Sequence, residues 1–132
     1  MASERLIKHW VASAEKDFEN MLGMFENKYY SWSLFVGHLV IEKLLKALCA
    51  KKHSTKPHAP MIHNLQVLAN KCELELDEER ADKLAEITSF NLAARYQDEK
   101  LDFYKLCTKE FTASKIKDIK ELRIWLKKLI EK

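Results

Sequence analysis

Charged and titratable side chains stand in the middle of the most apolar stretch of this sequence. Residues 34–50 are apolar on nearly every side, yet they include His38, Glu42, Lys43 and Lys46. On a helix, His38, Glu42 and Lys46 follow one another at four-residue steps along one side, while Lys43 lies on a flank. A buried carboxylate is costly unless it is paired, so Glu42 should meet Lys46 or a basic residue from elsewhere in the chain.

This polar stripe has two interpretations. It is either an ion-pair seam that fixes the register of packed helices, or the wall of a polar binding site. Structural networks perturb charges as readily as functional ones, so the spacing by itself favours the seam.

The composition indicates the elements that must position the stripe. A chain of 132 residues is about the size of one domain, and it contains only two glycines and two prolines. Leu, Lys, Glu and Ala are abundant, which is typical of an all-α protein, because strands and the turns between them usually need more Gly and Pro. We therefore expect a single helical domain over residues 1–132.

Apolar residues recur at helical spacing in four long segments and one or two short ones. The predicted helices cover residues 3–27, 33–52, a short stretch after Asn64, 78–90 after a cap at Asp77, a short irregular stretch in 101–111, and a last helix from about Thr112. Tyr29, Tyr30 and Trp32 should fill the corner before the central helix. Short connections predict an antiparallel four- to five-helix up-and-down bundle.

Both prolines and three of the five histidines fall in residues 53–63, which predicts a loop. His53, His58 and His63 stand at five-residue intervals without neighbouring Cys or acidic ligands, so we expect no metal site. His63 begins the next helix, where it either caps that helix or turns inward toward the stripe.

Cys49, Cys72 and Cys107 are odd in number and widely separated. This pattern predicts reduced, mostly buried thiols of a cytoplasmic protein rather than a disulfide framework or a zinc site. The N-terminus lacks the order of a secretory signal, and charges interrupt the apolar run, so we expect neither export nor a membrane span. Residues 109–132 are basic and could face a nucleic acid or an acidic partner, but a solvated face is the more common role of such a charged helix.

Four segments together carry a family resemblance. They are W-V-A-S-A-E-K-D-F from Trp10, H-L-V-I-E-K-L-L-K-A-L from His38, H-N-L-Q-V-L from His63, and R-Y at Arg95. In order and separation these segments resemble the HEPN domain, a family of helical bundles. The resemblance extends over nearly the whole chain.

The resemblance implies a helical bundle, usually a homodimer, that places Glu42, Lys43, Lys46, His63 and Arg95 near a shared groove. Many similar proteins are partners of minimal nucleotidyltransferases in toxin–antitoxin pairs, and a nucleotide ligand is implied for that branch. Others resemble metal-independent ribonucleases.

The ribonuclease branch uses an arginine followed a few residues later by a histidine. Histidine moves the proton that lets a ribose 2′-hydroxyl attack the phosphate, and arginine stabilises the charge on that phosphate. In this chain no histidine follows Arg95, because the last one is His63. The sequence therefore predicts no catalytic residue, and ribonuclease activity stays an alternative in which His63 or His38 acts by another geometry.

We expect a non-catalytic module without a cofactor that binds a nucleotide or a nucleotidyltransferase partner. In this hypothesis Lys43, Lys46 and Arg95 supply positive charge to phosphate, His63 donates a hydrogen bond, and Tyr96 stacks on the ligand or closes the site. The remaining alternative is a protein-interaction dimer in which the stripe only fixes helix register.

Overall fold

The structure is a computed structural model that describes residues 2–52, 62–95 and 97–132, with side chains except at 2, 3, 94, 95 and 97–99. These ranges form helices and contain no strand, which confirms the all-α class. The helices are α1 (Ala2–Glu26), α2 (Tyr30–Lys52), α3 (Leu65–Lys71), α4 (Glu78–Arg95), α5 (Gln97–Leu106) and α6 (Lys109–Glu131). His53, His58 and Tyr96, and with them most of the predicted loop, lie outside the described residues.

Helix α2 is the centre of the bundle. It contacts α1, α3, α4, α5 and α6, and most of its residues are buried. A helix that is apolar all round is stable only when other helices enclose it, and the sequence of α2 meets that condition.

Contacts between side chains fix the direction in which α1 runs. Lys43 of α2 pairs with Asp17 of α1, and Lys46, three residues later in α2, lies over Trp10, which is seven residues earlier in α1. The two helices are therefore antiparallel.

Helix α6 runs parallel to α2. Gly37 in the first half of α2 lies against Ile119 in the middle of α6, and the Lys51 amino group donates to the carbonyl of Ile130 at 2.7 Å near the ends of both helices. This lysine also satisfies a backbone acceptor that the last turn of α6 would otherwise leave without an intrahelical partner.

Helix α4 is antiparallel to α6. Lys83 lies 3.6 Å from Asp118, while Glu86, one turn later in α4, pairs with Lys115, one turn earlier in α6, at 2.8 Å. The four long helices therefore alternate in direction, as the predicted up-and-down bundle requires.

Polar caps set the starts of three helices. Asn64 accepts a hydrogen bond from the amide of Val67, Asp77 from that of Arg80, and Thr108 from that of Phe111. Each cap satisfies an amide that has no partner inside its helix. The cap at Asp77 confirms the predicted start of α4.

Several predicted boundaries were wrong. Tyr30 and Trp32 belong to α2 instead of preceding it, because Lys28 takes a left-handed φ of 67° and ends α1 directly before them. Helix α4 continues to Arg95, past its predicted end at residue 90. Helix α5 is regular and ends at Leu106, and α6 begins at Lys109 instead of near Thr112.

The prediction of three reduced thiols was also wrong for two of them. Cys49 and Cys72 form a disulfide with Cα atoms 4.6 Å apart, whereas Cys107 is free. All three are buried, as predicted. Their separation along the sequence gave no sign of the bond, because the return of α3 against α2 is what brings the sulfurs together.

Membrane spanning can be judged for the described helices alone. None of them combines the length and the apolar character that a bilayer crossing would need.

Candidate functional site

Five polar side chains meet where α2, α4 and the segment preceding α3 come together. They are His38, Glu42, Lys46, His63 and Asn91, and we refer to them as the polar cluster. His38, Glu42, Lys46 and Asn91 are buried, whereas His63 is exposed.

Both ring nitrogens of His38 have hydrogen-bond partners. Its Nε2 lies 2.8 Å from the carbonyl oxygen of His63 and must donate, because a carbonyl only accepts. Its Nδ1 lies 3.5 Å from the Nδ2 of Asn91, which is a donor, so Nδ1 accepts. Burial is the main cause that lowers the pKa of His38, although the carbonyl of His63 and the Glu42 carboxylate oppose it. His38 is therefore neutral and fastens the segment before α3 to α2.

Glu42 uses both carboxylate oxygens. Oε2 accepts from the Lys46 amino group at 3.2 Å, and Oε1 accepts from Nδ1 of His63 at 2.8 Å. The side chain is only 5% exposed, so the two partners replace the water that a carboxylate needs. The Glu42–Lys46 contact is the one that their four-residue spacing predicts.

His63 turns inward instead of capping α3, a role that Asn64 takes. Because the Glu42 carboxylate can only accept, Nδ1 of His63 carries the hydrogen. The imidazole is thereby oriented, and its side chain is 55% exposed. No hydrogen bond among the described residues uses Nε2. This nitrogen is the atom of the polar cluster best placed to meet a ligand.

The two lysines of the stripe are neutralised from within the molecule. Lys46 pairs with Glu42 and lies 5.1 Å from the centre of the Trp10 ring, a cation–π contact. Lys43 pairs with Asp17 at 2.6 Å on the α1 side, and within the described residues no ion pair or hydrogen bond joins its side chain to the polar cluster. Neither lysine therefore offers an uncompensated charge to a phosphate.

Arg95 is the last residue of α4, four positions after Asn91. One helical turn spans about 5.4 Å, so the backbone of Arg95 is about one turn beyond the polar cluster. The Arg95 side chain and the whole of Tyr96 lie outside the described part of the chain.

The predicted site is thus assembled in part. The structure brings Glu42, Lys46 and His63 together and places Lys43 elsewhere. It adds Asn91 and Trp10, which the sequence analysis did not assign to the site. Asn91 falls in step with Leu84 and Ile87 on the buried face of α4, which was a usable signal for a buried polar group. Trp10 gave no comparable signal, because its periodicity indicates only core packing.

Metal binding finds no support within the described ranges, where no three His, Cys, Asp or Glu side chains are grouped to hold an ion.

Comparison with known proteins gave one positive result. The model of a family described as the HEPN domain matches residues 7–129, a range that includes the whole polar cluster. No curated protein matched the chain, and no solved structure did.

Proposed function

The chain belongs to the HEPN domain family, and from this premise we propose that it is a non-catalytic module that binds a nucleotide beside the polar cluster. Its proposed partner is a small nucleotidyltransferase, in a pair of the toxin–antitoxin type. The observation that carries this proposal is the Glu42–His63 hydrogen bond, which orients an exposed imidazole at the edge of an otherwise enclosed polar group.

The chemistry available at His63 suits a nucleotide. Neutral Nε2 accepts a hydrogen bond from a ribose hydroxyl or a base N–H, and protonated Nε2 donates to a phosphate oxygen. The Glu42 carboxylate, buried and bonded to Lys46, fixes the ring in one orientation for either role.

In this proposal the positive charge for a phosphate comes from Arg95 and not from the lysines. Lys43 and Lys46 are each committed to a carboxylate, so using them for a ligand would leave that carboxylate without its partner. A guanidinium on the last turn of α4 would bind phosphate through paired hydrogen bonds, and Tyr96 would stack on the base.

The test is thermal stabilisation and calorimetric binding with ATP, GTP and short RNAs. We expect at least one nucleotide to raise the melting temperature, and His63→Ala to weaken its binding by about tenfold, the loss of roughly one hydrogen bond. His9→Ala is the matched control, because His9 is exposed on α1 and is not part of the polar cluster. If no nucleotide binds and Arg95→Ala unfolds the protein, the stripe is a register seam and the proposal fails.

The ribonuclease alternative is tested by the same variants. His38 has both nitrogens engaged inside the core, so a nuclease that uses the polar cluster would depend on His63. That activity would be independent of added metal and lost in His63→Ala. Structured and single-stranded RNA that both stay intact would remove this alternative.

A second candidate function, self-association, follows from the outward side of α5. Leu101 is 60% exposed and Tyr104 is 66% exposed, and three-residue spacing puts them on the same side of the helix. The amino nitrogen of Lys100 lies 5.2 Å from the centre of the Trp32 ring, and Trp32 is 45% exposed. An aromatic side chain of α2 therefore borders this side of α5. We call Leu101 and Tyr104 the α5 outer face and propose that it forms the interface of a homodimer.

A further inference from the structure

The disulfide between Cys49 and Cys72 joins the last two turns of α2 to the residue that follows α3. The bonded residues are 23 positions apart in sequence and are 3% and 0% exposed, respectively. The bond therefore lies inside the core and couples a long central helix to a very short one.

Helix α3 depends on such attachments because it contains only seven residues, too few to be stable as an isolated helix. Its buried residues are only Leu65, Leu68 and Ala69. The disulfide at Cys72 secures its C-terminal end, where Glu73 takes a left-handed φ of 57°.

The N-terminal end of α3 is secured by the polar cluster. His38 donates to the carbonyl of His63, and the amide of Leu65 donates to the hydroxyl of Thr88 at 3.0 Å. The segment that presents His63 to Glu42 and the segment that carries Cys72 are therefore the two ends of one two-turn helix.

We propose that Cys49 and Cys72 form a redox-sensitive fastener that controls how firmly α3, and with it His63, is held against α2. Two equivalents of a small thiol, or one dithiol, break the sulfur–sulfur bond. The reductant becomes a disulfide, and each cysteine gains one electron and one proton to become a thiol. A low-molecular-mass disulfide reverses the reaction. In the reduced state α3 opens more often, and the Glu42–His63 hydrogen bond is formed for less of the time.

The remaining cysteine does not compete in this exchange. Burial raises the pKa of the Cys107 thiol to about 11. The thiolate is the attacking species in thiol–disulfide exchange, so Cys107 is inert at neutral pH. The reaction is therefore confined to Cys49 and Cys72.

Access to the buried bond requires a local opening of α3, which this short helix undergoes more readily than the long ones. The reaction should accordingly be slow with a small thiol and should not require global unfolding.

The experiment compares amide hydrogen exchange in three samples: protein oxidised with glutathione disulfide, protein reduced with dithiothreitol, and a Cys49→Ala/Cys72→Ala variant. We expect one titratable thiol after denaturation of the oxidised protein and three after reduction. Amides of residues 68–71 should exchange about 10- to 100-fold faster in the reduced protein and in the variant, and those of α6 should be unchanged. Cys107→Ala is the matched control and should retain the response.

Two results would overturn the proposal. One is three free thiols after treatment with glutathione disulfide, and the other is identical protection of α3 in the oxidised and reduced states.

A second measurement, nucleotide affinity in both redox states, rests on the proposed function. Weaker binding in the reduced state is expected if His63 contacts the nucleotide. A redox-dependent α3 in a protein that binds no nucleotide would sustain the fastener and contradict the proposed function alone.

Discussion

Glu42 is the residue on which the polar cluster depends, because it is the carboxylate that links α2 to the segment before α3. Lys46 approaches it from one turn along the same helix, and His63 approaches from across the helix interface. Removing its charge would leave the buried Lys46 amino group facing a neutral amide. The free-energy cost of removing the Glu42 charge therefore includes leaving Lys46 without its partner, in addition to the loss of the contact itself.

The first prediction concerns this charge. Glu42→Gln keeps the shape of the side chain but unpairs a buried lysine, so the free energy of unfolding should fall by about 3 kcal/mol. Urea denaturation measures the change. The matched control is Glu19→Gln, since Glu19 and Lys16 form a pair at 3.9 Å with both side chains more than 70% exposed. That control should shift stability by no more than about 0.5 kcal/mol, and equal effects of the two substitutions would contradict a buried role for Glu42.

His38 should make stability depend on pH. Its pKa in the folded protein is lowered, chiefly by burial, whereas the unfolded imidazole titrates near pH 6.5. Below that pH the unfolded chain binds a proton that the folded chain resists, so stability is full above about pH 6.5 and declines toward the lower folded pKa.

Urea denaturation at pH 7.0 and pH 5.5 measures this dependence. His38→Gln retains a donor for the carbonyl of His63 but does not titrate, so the decline between the two pH values should be smaller in the variant. An unchanged decline would assign the effect to another group.

Residue-scale prediction from sequence worked where the partners were local. The four-residue step from Glu42 to Lys46 fixes their contact because a helix brings such residues together. The inward turn of His63 stayed open because it depends on where α3 docks, and the disulfide was missed for the same reason. The family resemblance placed Lys43 near the groove, and nothing local in the sequence showed that Asp17 of α1 would pair with it instead.

At the scale of elements, the long helices could be predicted because apolar residues recur at helical spacing over many residues in each of them. Their ends were harder to place. Lys28 ends α1 in a left-handed conformation that favours glycine, and no glycine or proline marks the point. Helix α4 extends past Phe90 because Asn91 is buried against His38, and this tertiary contact outweighs the weak local pattern.

Gly37 provides a prediction about how closely the helices pack. A Cβ atom at this position would lie 2.5 Å from Cδ1 of Ile119 and 3.1 Å from Sδ of Met21, both fully buried. Gly37→Ala should therefore lower the free energy of unfolding by about 1 kcal/mol, since overpacking outweighs the gain in helix propensity.

The control for this substitution is Gly23→Ala, also within a helix, where an added Cβ would have nothing within 4 Å. It should stabilise the protein by about 0.5 to 1 kcal/mol through helix propensity. Chemical denaturation of the two variants gives changes of opposite sign. A stabilising Gly37→Ala would show that Ile119 relaxes at little cost.

For the whole molecule, the fold pairs several cations of the basic last helix with carboxylates of other helices. Lys115 pairs with Glu86 at 2.8 Å, and Arg123 and Lys127 both pair with Glu15 of α1 at distances of 2.7 and 2.8 Å. Carboxylates of α4 and α1 therefore neutralise these three cations of the basic last helix, which argues against their use to bind the phosphates of a nucleic acid. Among the described residues, α5 exposes Leu101 and Tyr104 by 60% and 66%.

The α5 outer face yields the prediction at this scale. If it forms a homodimer, wild-type protein at micromolar concentration should sediment at twice the 15.5 kDa mass of the chain. Leu101→Lys/Tyr104→Lys would bury four unpaired charges at the interface and should weaken association by at least about 100-fold. Ile124→Lys is the matched control, because Ile124 is 51% exposed but belongs to α6 and not to the α5 outer face, so the substitution should leave the dimer intact. Analytical ultracentrifugation distinguishes the outcomes. A monomeric wild type would contradict the proposed homodimer, and a dimer that Ile124→Lys dissociates but the α5 double variant does not would place the interface away from α5.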